Sequence, residues 1–131
     1  MNRPEPENRD LFAIADLASE FGISTRAIRF YEAKGLLSPE RVGATRVFRR
    51  RDRARLILIL RGKRLGFSLR DISEYLSLYD AHSQSAQVAL LTDLVDKRLA
   101  LLETQLADLQ TTIGELKEIR KLATERMAQR A

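Results

Sequence analysis

The chain has 131 residues, a formal net charge of +5 and 44% hydrophobic residues, enough for one packed domain plus a long helix and little more. It contains no cysteine, which excludes disulfides, thiolate metal sites and thiol redox sensing within the chain. Its single histidine, His82, stands in a polar stretch and builds no metal site alone, so neither a metal nor a cofactor is expected.

The first ten residues, MNRPEPENRD, carry two of the three prolines and read as a disordered leader. They have neither the apolar core of a secretory signal nor the acid-poor composition of a transit peptide. No apolar run approaches the roughly 18–20 residues of a membrane span. A cytoplasmic protein without a membrane partner is the expectation.

Phe12, Ala13 and Ile14 open the first element, and IADLASEF predicts a helix over 14–21, with Leu17, Ala18 and Phe21 at helical spacing. Gly22 breaks it, and Ser24-Thr25 cap a second helix over 25–34 that carries Ile28 and Tyr31. Gly35 follows as the expected C-cap, with Lys34 well placed against the helix dipole. Ala18 is small where two crossing helices would touch. This is the pattern of a helix-turn-helix whose second helix exposes Arg26 and Arg29.

Leu36 and Leu37 return to the core and Pro39 blocks further helix. Alternation around Gly43-Ala44 predicts a small β-hairpin with Val42, Val47 and Phe48 as strand residues. A third helix is expected over 52–65, ending at Gly66, and Ser68 with Asp71 forms a capping box for a short fourth helix carrying Leu69, Ile72, Tyr75 and Leu76. Residues 41–64 hold ten basic side chains and one acid, Asp52, so this block carries the whole positive excess. Such concentration is an electrostatic footprint for a polyanion. Expected core residues are Phe30, Ile28, Leu37, Phe48 and Phe67.

Residues 80–87 read as a polar connector between a unit at 11–79 and a helix over 88–127. In that helix Val95, Leu99, Leu102, Leu106, Leu109, Ile113 and Leu116 alternate spacings of four and three, the a/d stripe of a coiled coil. Leu91, Leu94 and Leu101 widen the apolar face near its start. A lone helix would leave this stripe in water, so a second copy of the chain is the expected partner. A helix-turn-helix, a basic hairpin-plus-helix block and a dimerising helix together point to double-stranded DNA with two related half-sites.

These motifs carry a family resemblance. IADLASEFGISTRAIRFYEAKGLLSPER, the Arg46-Val47-Phe48 of the hairpin and RGKRLGFSLRDI resemble the MerR family of bacterial transcription regulators over residues 12–79. The resemblance implies a mainly α fold: a winged helix-turn-helix with a β-hairpin wing, then a long helix forming an antiparallel coiled-coil homodimer. It implies a regulator that bends and untwists promoter DNA with an overlong spacer, so that RNA polymerase engages both recognition elements, at a cost in deformation energy. By position, Arg26 matches a base or phosphate contact, Arg29 and Tyr31 match backbone contacts, Arg46 matches the wing arginine, and Arg61 and Lys63 match the second wing region. Ser24, Thr25, Arg41 and Arg49 complete the expected DNA-binding set. Thr45 departs from the tyrosine common before the wing arginine, and the absence of cysteine departs from the metal and redox sensors of the family. A small-molecule effector is compatible with the family, and no residue identifies one. Within it, ArgAlaIleArgPheTyrGlu and ArgGlyLysArgLeuGlyPheSer most resemble regulators of leucine and isovalerate utilisation, which implies control of branched-chain amino-acid or acyl-CoA catabolism.

Two other classes compete. An excisionase-like architectural DNA binder shares the winged helix but usually lacks a long dimerising helix, and a helical adaptor would use the coiled coil alone. No nucleophile–base pair, phosphate loop or metal cluster is visible, so an enzyme is not expected.

Overall fold

A computed structural model describes residues 10–80 and 84–130. The order is β1 (Leu11–Phe12), α1 (Ile14–Phe21), α2 (Thr25–Ala33), β2 (Glu40–Val42), β3 (Thr45–Arg49), α3 (Arg50–Leu65), α4 (Leu69–Asp80) and α5 (Gln84–Arg130). The chain divides into one compact unit through Val88 and a second from Ala89 onward. The expected leader, apart from Asp10, and His82 lie outside the described residues.

Each early helix begins and ends for a local reason. Asp16 accepts the Ala13 amide at 3.0 Å at the start of α1, where a carboxylate also favours the helix dipole. Gly22 closes α1 in the left-handed region at φ 65°, and the Ile23 amide then reaches the Ala18 carbonyl at 3.1 Å. Ser24 Oγ accepts the Ala27 amide at 3.0 Å to start α2. At the other end Lys34, not Gly35, is the cap residue, and Gly35 one step later takes the positive φ. The Leu36 amide bonds back to the Tyr31 carbonyl at 2.9 Å, which satisfies an end-of-helix acceptor.

The small sheet has the order β1-β3-β2, antiparallel throughout. Gly43 turns the hairpin at φ 64°, and Glu40, Arg41 and Val42 stand opposite Val47, Arg46 and Thr45. The third strand β1, absent from the sequence reading, pairs Phe12 with Phe48 and so closes the sheet over the core. That core gathers Phe12, Leu17, Ile28, Tyr31, Leu36, Leu37, Phe48, Leu56, Ile59, Ile72 and Leu76. Phe30 does not join it. Ile28 and Tyr31, three residues apart, take the inward face of α2 and leave Phe30 44% exposed. Phe67 is partly buried at the core margin.

α3 starts at Arg50, two residues earlier than expected, because Asp52 caps it: its carboxylate accepts the Arg49 amide at 3.2 Å and the Ser38 amide at 3.0 Å. One turn on, buried Arg55 donates Nε to the Leu36 carbonyl at 2.8 Å. Two buried polar residues thus tie the segment after α2 and the end of β3 to α3. Gly62 lets α4 approach, since a Cβ there would stand 2.9 Å from Ile72 Cγ1. Ser68 Oγ accepts the Asp71 amide at 3.1 Å to begin α4. The expected connector at 80–87 is shorter than read, because Asp80 ends α4 and Gln84–Gln87 already belong to α5. α5 is one uninterrupted helix of 47 residues with no buried residue among those described.

Asp52→Ala should lower the unfolding free energy by about 2–3 kcal/mol, since it strips partners from two amides and removes a helix cap. Urea unfolding followed by circular dichroism at fixed chain concentration measures this; a loss under about 0.5 kcal/mol would contradict the role.

Candidate nucleic-acid interface

The outward arc of α2 follows from its inward one. With Ile28 and Tyr31 buried, the exposed arc runs through Arg26, Arg29 and Phe30, at the three- and four-residue spacings that share a helix face. Arg29 Nη1 reaches Thr25 Oγ1 at 3.5 Å, which aligns its guanidinium along the helix, and Lys34 Nζ lies 5.5 Å from the Phe30 ring centre. Ser24 is occupied as the cap of this helix. Tyr31 is 3% exposed and packs in the core, so its ring is not an open face of the α2 surface. Lys63 stands over the ring, its Nζ 5.8 Å from the ring centre. Lys63 and Arg61 are both exposed on the last turns of α3.

The hairpin joins α2 through an acid that the sequence reading passed over. Glu32 accepts Arg46 Nε at 2.6 Å and Arg41 Nη2 at 3.4 Å, so both strands of the wing are held by one α2 carboxylate. Arg49 makes a two-pronged pair with Glu40 across the sheet, Nε to Oε1 at 2.9 Å and Nη2 to Oε2 at 2.8 Å. The hydrogen bonds from Arg49, and then its charge, hold the Glu40 carboxyl below the ordinary glutamate range. Arg53 faces inward, giving Nε to Glu20 of α1 at 2.9 Å with its guanidinium over the Phe21 ring. Arg55, as described, is buried on a backbone carbonyl.

The basic block is therefore not one surface. Arg53 and Arg55 fasten α3 to the elements in front of it, Arg49 is matched by Glu40, and Arg41 and Arg46 share Glu32 at the seam between wing and α2. Charge counting along the chain could not find the acids that pair with this block, which lie far off in sequence, as with Glu20, 33 residues from Arg53, and Asp10, 3.8 Å from Arg50. Among the described residues no group of three or more His, Asp or Glu side chains could hold a metal ion. No described helix is long and apolar enough to cross a membrane.

A capped second helix with an arginine face, flanked by a basic β-hairpin on a three-stranded sheet, defines a winged helix-turn-helix DNA-binding protein. The chain belongs to the MerR family: residues 12–78 match the family model for the MerR HTH family regulatory protein, and residues 53–128 match that for MerR, DNA binding. It is 34% identical over 113 residues to a mercuric resistance operon regulatory protein of Serratia marcescens, covering 84% of this chain and 77% of that one. It is 30% identical over 106 residues to the HTH-type transcriptional regulator CueR of Salmonella typhi, covering 79% and 75%. Among solved structures, it resembles PbrR691 of Ralstonia metallidurans in complex with lead(II) at TM-score 0.69 and 25% identity, covering 84% of this chain and 86% of that one. It also resembles HiNmlR, a MerR family regulator lacking the sensor domain and bound to promoter DNA, at TM-score 0.51 and 30% identity, covering 82% and 76%. The protein is thus a DNA-binding transcription regulator of MerR type, not an enzyme.

The Glu40–Arg49 pair makes a pH prediction. A carboxyl lowered in the fold contributes at neutral pH and loses its contribution as pH falls through the lowered value. A carbon-detected NMR titration should find Glu40 titrating below its open-chain value, and Arg49→Ala should return it there. An unmoved midpoint in the variant would refute the pairing.

Proposed function

We propose that two copies of this chain bind one promoter, α2 of each entering the major groove of a half-site while the wing grips the flanking backbone. The unit at 11–79 is the DNA-binding part and the helix over 88–127 the dimerising part. Such a dimer stores energy in bent, untwisted spacer DNA and lets RNA polymerase engage both recognition elements. Ser24, Thr25, Arg26 and Arg29 are the α2 contacts; Arg41, Arg46, Arg49, Arg61 and Lys63 supply sequence-independent phosphate contacts. Its place of action is then the cytoplasm, with the chromosome.

The observation that carries this reading is the Arg26–Arg29 face on α2 joined through Glu32 to both strands of a basic wing. The stripe of α5 supports the second copy. Val95, Leu99, Leu102, Leu106, Leu109, Ile113 and Leu116 are each 36% to 60% exposed among the described residues, a row of large apolar side chains open to a partner. An antiparallel pairing sets Leu106 against the partner's Leu109, Leu102 against the partner's Ile113 and Leu99 against the partner's Leu116. The same alignment brings Asp96 beside the partner's Lys117, an opposite-charge pair at the edge of the seam. The target genes we infer are those of branched-chain amino-acid or acyl-CoA catabolism, on the strength of the ArgAlaIleArgPheTyrGlu and ArgGlyLysArgLeuGlyPheSer phrases.

Transcription from such a promoter by purified RNA polymerase should change on adding the protein; binding without any change in transcript would sink the regulator mechanism. Leu106→Asp or Leu109→Asp should yield monomers by light scattering, since each puts a charge into the seam. Asp96→Lys should weaken the dimer by about 1–2 kcal/mol in sedimentation equilibrium, and adding Lys117→Asp should restore it. In a parallel dimer the two positions are about 30 Å apart along the helix and the second change would restore nothing.

A further inference from the structure

We propose that Arg41, Arg46 and Glu32 form a preassembled cradle for one backbone phosphodiester of duplex DNA, with Glu32 as the positioning residue; this rests on the DNA-binding reading above. Arg41 and Arg46 are direct cross-strand partners in the hairpin. Like charges at facing positions repel, and the short wing strands offer little to hold them together. Glu32 supplies the missing counter-charge from a different element. It accepts from both guanidiniums, Arg46 at 2.6 Å and Arg41 at 3.4 Å. The acid lies beneath and the cations lead outward: side-chain exposure is 20% for Glu32, 25% for Arg46 and 51% for Arg41.

Comparison with the neighbouring pairs shows why this cluster is different. Arg49 meets Glu40 through both Nε and Nη2, and Arg53 meets Glu20 the same way, so in each pair one carboxylate takes two nitrogens of one guanidinium. At Glu32 two cations share one anion and the cluster keeps a net positive charge. Arg46 gives the acid its Nε alone, so the remaining donors of its fork stay available for a phosphate oxygen. A guanidinium already fixed by a carboxylate loses less conformational freedom on binding than a free one. Because the carboxylate belongs to α2, the phosphate so held lies at a set distance from the groove that α2 enters. Glu32 thereby couples backbone grip to helix placement.

The idea yields a sign that simple charge counting reverses. Removing an acid from a DNA-binding surface ordinarily tightens binding and steepens its salt dependence. If Glu32 positions the wing, Glu32→Gln should instead bind a mixed-sequence duplex roughly fivefold more weakly at low salt and lose roughly one unit of salt slope. Fluorescence anisotropy of the full chain over a salt series reads both. Glu32→Asp, which keeps the charge one methylene shorter, should recover part of the loss, and Glu32→Gln should add nothing to Arg46→Ala. Native or tighter binding by the Gln variant with an unchanged or steeper slope overturns the cradle and leaves DNA binding intact. A native protein that binds no duplex at low salt overturns both.

Discussion

The arrangement depends on the polar lock at the start of α3. Asp52 holds the amides of Ser38 and Arg49, and Arg55 holds the carbonyl of Leu36, all at 3.2 Å or less. Both residues are charged and buried, 6% and 8% exposed, and such groups are stabilising only when fully partnered. Here their partners are backbone groups of the two segments that flank the wing. The end of α2 and the end of β3 are therefore fixed to the same helix turn. Leu56 and Ile59, one turn further on, then carry those segments onto the apolar core. A recognition helix and a wing that moved independently would each contact DNA without setting a register between them.

Upon that lock the arginines divide by depth. The inner ones answer to Glu20 and to a backbone carbonyl and belong to folding. The outer ones cluster where α2 meets the hairpin, and these are the ones we propose to meet DNA. The dividing line is drawn by three glutamates, each on a different element, so that the same residue type serves as internal fastener and external contact.

Much of the fold was legible because periodicity records it. The helical spacing of Leu17, Ala18 and Phe21, the glycine break, and the serine cap locate α1 and α2 closely, and the alternation of four and three marks α5. What escaped depended on partners distant in sequence. β1 is two residues long and is a strand only because Phe48 stands opposite Phe12. Phe30 and Tyr31 are adjacent aromatics, and only the position of the core decides which ring is inside. Glu32 carried no signal of its own, since its partners lie 9 and 14 residues ahead on the two strands of a hairpin. Asp52, the lone acid in a basic run, was noted for its charge; its oddity in that run was the trace of its role as a cap.

On the proposed reading α2 and its wing act as one unit, present twice on a two-fold related site. Hydroxyl-radical footprinting of the bound promoter, with bound chains counted by native mass spectrometry, tests it most directly. Two chains per duplex are expected, with two symmetric half-sites a whole number of helical turns apart, each with protection of the groove and of the flanking backbone. A single chain protecting one unsymmetric site, or groove protection without the flanking backbone, would contradict it.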